Sequence, residues 1–373
     1  MKNKITSLLI FFVSFCFIIV FCIFGVILYE EFVELEVAVV PENFQTEITT
    51  EKSTVDNKIK APEIVDNPLD GAQNTNNNSN TQKINYDNIS VNKYFYNQLE
   101  DYSKTIYKAF ESNKEQMKSG NAKINIGDSF SSLLSLSDGQ DKLGKYYQSA
   151  IEAYTYDNPD VFYLSPNKMY LNIETTTSSN GTSYNVYVDS GQYANYFADD
   201  FNSEAEVKTA LNEVQNIKNQ IVQQATGNKQ NDIKMVHDYL VETIEYDTSI
   251  SRPNIYNIYG ALVNKICVCE GYARAFKYIL DNIGINCVLV IGTGTNTNGE
   301  TENHAWNYVE LEGIWYAVDT TWDDPVITGG GRLTDSDKYR YFLKGSSEMS
   351  KDHTPSGQFT QGGKVFTYPN LCQ

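Results

Sequence analysis

Two cysteines lie two residues apart in the stretch KICVCEGYARAF, Lys265 to Phe276, and the whole chain has six cysteines. The apolar pattern that follows, with Gly284 behind it, predicts a helix that begins near Cys269. At the start of a helix the N–H groups point outward and the macrodipole is positive, which stabilises a thiolate. Cys267 belongs to the preceding loop or turn and cannot share that environment. Helix geometry therefore favours Cys269 over Cys267 as a nucleophile.

A base for such a thiol is available in the segment HAWNYVELEGIWYAVDTTWDDP, His304 to Pro325. Two β-rich runs flank Glu312-Gly313, which predicts a hairpin. With a two-residue turn, His304 and Asp319 share a face as diagonal neighbours, with Cα atoms ~7–8 Å apart and within reach of a hydrogen bond. A four-residue loop would put them directly opposite each other, whereas a one-residue slip would separate them onto opposite faces.

A thiol at a helix start, a histidine on a strand and an aspartate on the next strand make a nucleophile, a base and an orienting acid. The chain has only 3 histidines, and His304 is the one in a strong strand context, paired by register with Asp319. We interpret His237 as a polar or half-buried helix residue. We interpret His353, in the polar loop KDHTPSG, as a surface residue, with a place along the cleft as its alternative. The chemistry then rests on Cys269, His304 and Asp319.

Three short motifs, C-E-G-Y-A, H-A-W-N and V-D-T-T-W-D-D-P, resemble the core of the transglutaminase-like superfamily in its bacterial branch. The order Cys, His, Asp and the spacings of 35 and 15 residues fit that pattern, from about Ile233 to His353. The resemblance implies an α+β fold with a papain-like core, in which a central helix packs on an antiparallel sheet. It also implies that Cys269 is the nucleophile, His304 the base and Asp319 the orienting acid.

The donors that would stabilise an oxyanion are less well defined. Some relatives place a Trp or Gln upstream for this role, and this chain has no such match. Tyr256 and Tyr259 are nearby candidates. Trp306 shares the face of His304 and is a candidate wall of the site, with plain core packing as its alternative. The backbone N–H of Cys269 can serve as one donor.

Other uses of the cysteines stay open. A zinc site built from Cys-x-Cys and His304 departs from the usual spacing of zinc-binding cysteines and lacks a fourth ligand, so we expect no metal and no cofactor. A Cys267–Cys269 disulfide would close a very small, strained ring. Pairing of Cys267 with Cys287 or Cys372 would suit an oxidising compartment, and the sequence does not rank these pairings.

The elements before the site divide by composition. Ile5 to Tyr29 is apolar over about 25 residues, enough to span a bilayer at ~1.5 Å per residue, so we predict a transmembrane anchor over 5–29. Lysines precede it and acidic residues follow it, which places the rest of the chain outside the cytoplasm. Polar residues dominate 30–90 and predict a flexible stalk. We expect an α+β region over 91–230 and the catalytic domain over 231–373.

The net charge of −18, from 29 basic and 47 acidic residues, argues against nucleic acid as the main partner. The sequence therefore predicts a membrane-anchored, extracytoplasmic thiol enzyme. It would act through a thioester on amide bonds of protein or peptide substrates of the cell envelope, by transamidation or hydrolysis. The alternative is a catalytically silent binding module of the same fold, against which the three retained site residues argue.

Overall fold

The structure is a computed structural model and describes residues 91–178, 181–198, 200–324, 334–360 and 364–373. The helices are α1 (Asp101–Ser112), α2 (Lys114–Met117), α3 (Ser131–Leu134), α4 (Gly139–Asp157), α5 (Glu204–Val222), α6 (Lys229–Thr243), α7 (Cys269–Asn282), α8 (Asp335–Lys338) and α9 (Ser346–Met349). The strands are β1 (Ile124–Gly127), β2 (Tyr170–Ser178), β3 (Gly181–Asp189), β4 (Glu245–Tyr246), β5 (Ile266–Cys267), β6 (Cys287–Thr295), β7 (Thr301–Leu311), β8 (Ile314–Val318) and β9 (His353–Pro355). A short π-helical turn, Gly260–Asn264, precedes β5.

The first half of the described chain packs helices against a small sheet. The ring centroids of Phe110 on α1 and Tyr154 on α4 are 5.4 Å apart. Strands β1, β3 and β2 form an antiparallel sheet in that order. The start of α5 carries a side-chain cap. The Ser203 side chain accepts a bond from Glu206 N at 3.3 Å, and Glu206 Oε2 accepts one from Asn202 N at 2.7 Å.

The second half contains the predicted arrangement of a central helix on an antiparallel sheet. The sheet has the strand order β8-β7-β6-β9, and all its pairings are antiparallel. Helix α7 packs on it where Ala273 meets Leu289 of β6 and Ala305 of β7, all of which are buried. Gly284 has a φ of 80°, which suits its predicted role behind the end of α7.

The β7–β8 hairpin has the two-residue turn considered in the sequence analysis. Leu311 pairs with Ile314, and Asn307 pairs with Val318. Glu312 and Gly313 both have positive φ, 54° and 83°, as a two-residue hairpin turn of the primed type requires. The turn therefore fixes the register on which the site depends.

The predicted membrane topology is contradicted. In the part of the chain that the structure describes, no helix is both long enough and apolar enough to cross a membrane. The two longest, α4 and α5, have 19 residues each, and both mix charged residues with apolar ones. The prediction of a single-pass membrane protein with an extracytoplasmic C-terminal domain is wrong by this finding. The anchor predicted over 5–29 and the stalk over 30–90 lie outside the described residues.

The two halves of the described chain belong to one compact unit. One contact between them comes from Arg274 on α7, whose Nη1 donates to the carbonyl oxygen of Thr155 on α4 at 2.8 Å. The division into regions 91–230 and 231–373 stays a prediction.

Candidate active site

The two cysteines of the opening motif lie in different environments. Helix α7 begins at Cys269, as predicted, and Cys269 is partly exposed. Cys267 lies on β5 and is fully buried, and burial raises the pKa of its thiol well above the ordinary value. A Cβ on Gly271 would lie 2.5 Å from Cys267 Cβ, so this glycine lets the first turn of α7 pack tightly over Cys267. Cys267 therefore stays a protonated thiol, while Cys269 is accessible.

His304 is bonded to the carboxylate that the hairpin register predicts. Its Nε2 lies 2.8 Å from Asp319 Oδ2, and both side chains are buried. Burial alone would lower the pKa of His304. The charge of Asp319 and hydrogen bonds to Asp319 and Cys269 outweigh it and raise that pKa to about 10. Because Nε2 faces Asp319, Nδ1 is the ring nitrogen left for the thiol. The arrangement favours an imidazolium beside Cys269.

Asp319 uses both carboxylate oxygens. Oδ1 accepts bonds from the backbone N–H groups of Thr321 at 3.0 Å and Trp322 at 3.2 Å. Oδ2 is shared by His304 and by His353, whose Nε2 lies 3.1 Å away. Burial would raise the pKa of Asp319, but the charge of His304 and the bonds from both histidines hold it well below its usual range. Asp319 is therefore a fixed carboxylate.

Two indole rings enclose His304. Trp306 stacks on it with ring centroids 5.9 Å apart, and Trp322 stacks at 4.9 Å. Trp306 was predicted as a wall of the site or as plain core, whereas no role was predicted for Trp322. A Cβ on Gly294 would come within 2.7 Å of Trp322, so the glycine makes room for the indole. The aromatic faces exclude water and favour the charged imidazole by cation–π attraction.

The predicted oxyanion tyrosines lie at different places. Tyr256 is 47% exposed, and burial, then Glu270 and Cys269, raise the pKa of its hydroxyl, which places it near the thiol. Tyr259 is directed elsewhere, because its hydroxyl donates to Glu213 on α5 at 2.8 Å. The role of either tyrosine in catalysis stays a prediction.

Tyr246, for which no role was predicted, also lies near the Cys269 thiol. Tyr246 on β4 pairs with Cys267 on β5. Burial, followed by the charge of Cys269, raises the pKa of the Tyr246 hydroxyl. The sequence holds little signal for it, because β4 and β5 have only two residues each.

His353 was predicted on the surface, and this prediction is wrong. His353 is only 3% exposed and bonds with Asp352 Oδ1 through Nδ1 at 2.7 Å, besides its bond to Asp319. Strand β9 pairs antiparallel with β6, which places His353 opposite Gly294. This long-range pairing overrides the local polarity of KDHTPSG, from which a surface position was inferred.

His237 lies on a helix as predicted, but its predicted burial is wrong, since the side chain is fully buried. Its Nε2 lies 3.0 Å from Asp323 Oδ2, and its Nδ1 lies 3.0 Å from Asp238 Oδ1. Burial would lower the pKa of His237, but the bonds to Asp238 and Asp323 raise it above the ordinary value. Asp323 also accepts from Tyr341 N at 2.7 Å, so the pair ties α6 to the loop after β8.

We expect Asp323→Ala to lower the free energy of unfolding by about 3–5 kcal/mol, because it removes one member of a buried pair and leaves His237 Nε2 and the N–H of Tyr341 without a partner. Asp238→Ala is the matched control and should cost less, since the Asp238 side chain is 24% exposed. Urea unfolding measures both variants. Equal losses in the two variants would contradict the prediction.

The free energy of unfolding measured in urea also depends on pH in a defined direction. All three histidines have raised pKa values in the folded protein. The stability they contribute is therefore complete below their unfolded pKa of ~6.5 and is lost as the pH rises through the folded values. In Asp323→Ala, the part of this stability loss that comes from His237 should be smaller than in the wild-type protein.

One group of side chains could offer ligands to a metal. One atom each of His304, Asp319 and His353 lies within 4.8 Å of the others, and zinc accepts such donors. A metal ion requires unprotonated ring nitrogens, yet both nitrogens of His353 face carboxylate oxygens. The donors fit the hydrogen-bond network better than a metal site. The described cysteines, including Cys267, Cys287 and Cys372 of the open pairings, are free thiols.

Comparison with known proteins finds similarity over the region that contains Cys269, His304 and Asp319. Residues 215–320 match the family model of the transglutaminase-like superfamily, which confirms the predicted resemblance there. Kyphoscoliosis peptidase of Mus musculus is 29% identical over an alignment of 168 residues, which covers 42% of this chain and 25% of that protein. The Homo sapiens protein is 28% identical over an alignment of 138 residues, which covers 34% of this chain and 21% of that protein. The chain thus spans about a quarter of the length of these relatives.

Solved structures show more distant similarity. A crystal structure described as a TGase covers 47% of this chain and 50% of its own, at 13% identity and a TM-score of 0.28. The periplasmic domain of TgpA from Pseudomonas aeruginosa covers 42% of this chain and 63% of its own, at 16% identity and a TM-score of 0.24.

Proposed function

Since residues 215–320 match the transglutaminase-like superfamily, we propose that this chain is a thiol enzyme acting on amide bonds of protein or peptide substrates. The observation that carries the proposal is the buried His304–Asp319 bond of 2.8 Å beside a thiol at the first residue of a helix. A nucleophile, a base and a group that orients the base are the minimum set for acyl transfer through a covalent intermediate.

The first half-reaction forms a thioester. His304 takes the proton of Cys269 at Nδ1, and the thiolate attacks the carbonyl carbon of the amide. A C–S bond forms, the C–N bond breaks, and the Nδ1 proton passes to the departing amine. The backbone N–H of Cys269, at the first position of α7, has no partner within the helix and can donate to the oxyanion.

The second half-reaction breaks the C–S bond. Water or a second amine attacks the thioester carbon, His304 accepts the proton of the attacking group, and Cys269 leaves with its electron pair. Water gives a carboxylic acid, and an amine gives a new amide. The mouse and human relatives are named peptidases, so hydrolysis is the first activity to assay.

Thiol labelling tests the proposal. We expect iodoacetamide near neutral pH to alkylate Cys269 at least about 10-fold faster than Cys267 or Cys372, because His304 holds the Cys269 thiolate as an ion pair. Cys267 is the buried control, and Cys372 is a partly exposed thiol without a histidine contact in the described residues. Peptide mapping by mass spectrometry of the full chain measures each rate.

His304→Ala provides the matched variant, because it should remove the advantage of Cys269 while leaving Cys372 unchanged. A wild-type Cys269 that reacts no faster than Cys372 would refute the proposal. A reactive Cys269 without turnover of any peptide amide or amine acceptor would favour the catalytically silent binding module instead.

A further inference from the structure

A second histidine shares the carboxylate of the site. Asp319 Oδ2 lies 2.8 Å from Nε2 of His304 and 3.1 Å from Nε2 of His353. The centroids of the two imidazole rings are 5.5 Å apart. His353 is as buried as His304, and its other nitrogen lies 2.7 Å from Asp352 Oδ1. The reaction proposed above uses neither His353 nor Asp352.

These contacts determine the protonation of His353. A neutral imidazole has one N–H donor and one acceptor nitrogen. Both nitrogens of His353 face carboxylate oxygens, so a neutral ring would set a lone pair against the oxygen of Asp319 or Asp352. Burial would lower the pKa of His353, but hydrogen bonds to the two carboxylates raise it above the ordinary value. His353 is therefore a buried imidazolium.

We propose that His353 is a positioning residue of this site, a fixed cation that orients Asp319 and limits the hold of Asp319 on the His304 proton. The inference rests on the proposed function of Cys269, His304 and Asp319. Two histidines divide the charge of one carboxylate oxygen, so the imidazolium of His304 is a stronger acid than it would be with Asp319 to itself. A stronger acid protonates the departing amine more readily.

The position of His353 supports this assignment over a purely structural one. His353 does not touch the substrate side of the site through its own nitrogens, because both are bonded to carboxylates. Asp352 Oδ2 in turn accepts a hydrogen bond from the Tyr341 hydroxyl at 2.7 Å, which fixes the position of Asp352 beside His353. The titratable and charged groups around His353 and Asp319 are Cys269, His304, Asp323, Arg340, Tyr341 and Asp352. Among these, His304 alone shares with His353 a hydrogen bond to the Asp319 side chain.

The test is the pH profile of Cys269 alkylation by iodoacetamide in the full chain, from about pH 4 to about pH 10. His353→Gln removes a cation 5.5 Å from the His304 ring, and glutamine can still donate one hydrogen bond to Asp319. Losing a nearby positive charge raises the proton affinity of every neighbouring group. The acid limb of the profile reports formation of the Cys269 thiolate, and the alkaline limb reports loss of the His304 proton. We therefore expect both limbs to move upward together by about one pH unit.

His237→Gln is the matched control, because His237 is an equally buried histidine with two carboxylate partners, neither of which is Asp319. It should lower stability without moving the limbs. His353→Asn removes the same cation and should therefore move them upward as well. It also carries the test if His353→Gln does not fold, which circular dichroism establishes.

Unchanged limbs in folded His353→Gln, or an equal shift in His237→Gln, would overturn the positioning role. Failure of the proposed function looks different, because it is visible in the wild-type protein alone. There, Cys269 would show no advantage over Cys372 at any pH, and the role of His353 would fall with it.

Discussion

Cys269→Ala is expected to abolish turnover of amide substrates, a loss of about 10⁴-fold or more, whereas Cys267→Ala is expected to keep most of it. Cys269 begins α7 and contacts His304, so its removal deletes the atom that forms the thioester. Cys267 is fully buried on β5, where burial raises the pKa of its thiol. A buried thiol of raised pKa supplies almost no thiolate near neutral pH.

The comparison is sharp because the two cysteines are two residues apart and carry the same substitution. Cys267→Ala removes one buried sulfur atom and should cost roughly 1 kcal/mol of stability, which thermal unfolding measures. Turnover is measured on a peptide library with and without a primary amine as acceptor. Activity that survives Cys269→Ala, or that disappears equally in folded Cys267→Ala, would contradict the assignment of the nucleophile.

The parts of the site that the sequence predicted are those set by local signals. The start of α7 at Cys269 follows from the apolar pattern of one helix and its stop at Gly284. The His304–Asp319 bond follows from one hairpin, whose register is fixed by two turn residues, Glu312 and Gly313. A helix start and a tight turn depend on neighbours in the chain, so the sequence alone contains them.

The parts that it missed depend on pairings between distant segments. His353 reaches Asp319 because β9 pairs with β6 on the opposite side from β7. His237 reaches Asp323 only when α6 packs beside the loop after β8. His353 lies in a locally polar segment, and His237 lies on an amphipathic helix. A polar side chain indicates solvent unless a buried partner of opposite charge exists. Such partners are invisible until the topology is known, so both histidines were assigned too little burial.

Asp319→Asn is expected to lower turnover by about 10³–10⁴-fold, because an amide cannot replace both carboxylate oxygens. Oδ1 of Asp319 accepts bonds from the N–H groups of Thr321 and Trp322, and Oδ2 accepts from two histidines. Asparagine offers one oxygen and one NH₂ group. Whichever group faces the histidines, one pair of donors is left facing another donor.

The two orientations of the asparagine fail in different ways. If its oxygen keeps the bonds from Thr321 N and Trp322 N, the NH₂ group faces His304 Nε2. The ring proton of His304 then lies on Nδ1, so Nδ1 cannot accept the proton of Cys269. If its oxygen faces His304, two backbone N–H groups lose their partner, and stability falls. In both cases the charge that raises the pKa of His304 to about 10 is gone, so burial lowers that pKa.

Asp324→Asn is the matched control, because it makes the same change in the same loop. Asp324 Oδ2 accepts only the Tyr272 hydroxyl among the hydrogen bonds described, at 2.7 Å, and the amide oxygen of asparagine can accept it equally. We expect Asp324→Asn to keep most of the turnover. The thiolate absorbance of Cys269 against pH reports the ion pair in each variant, and it should be lost at neutral pH in Asp319→Asn alone. Wild-type turnover in a folded Asp319→Asn protein would show that His304 does not need an anionic partner.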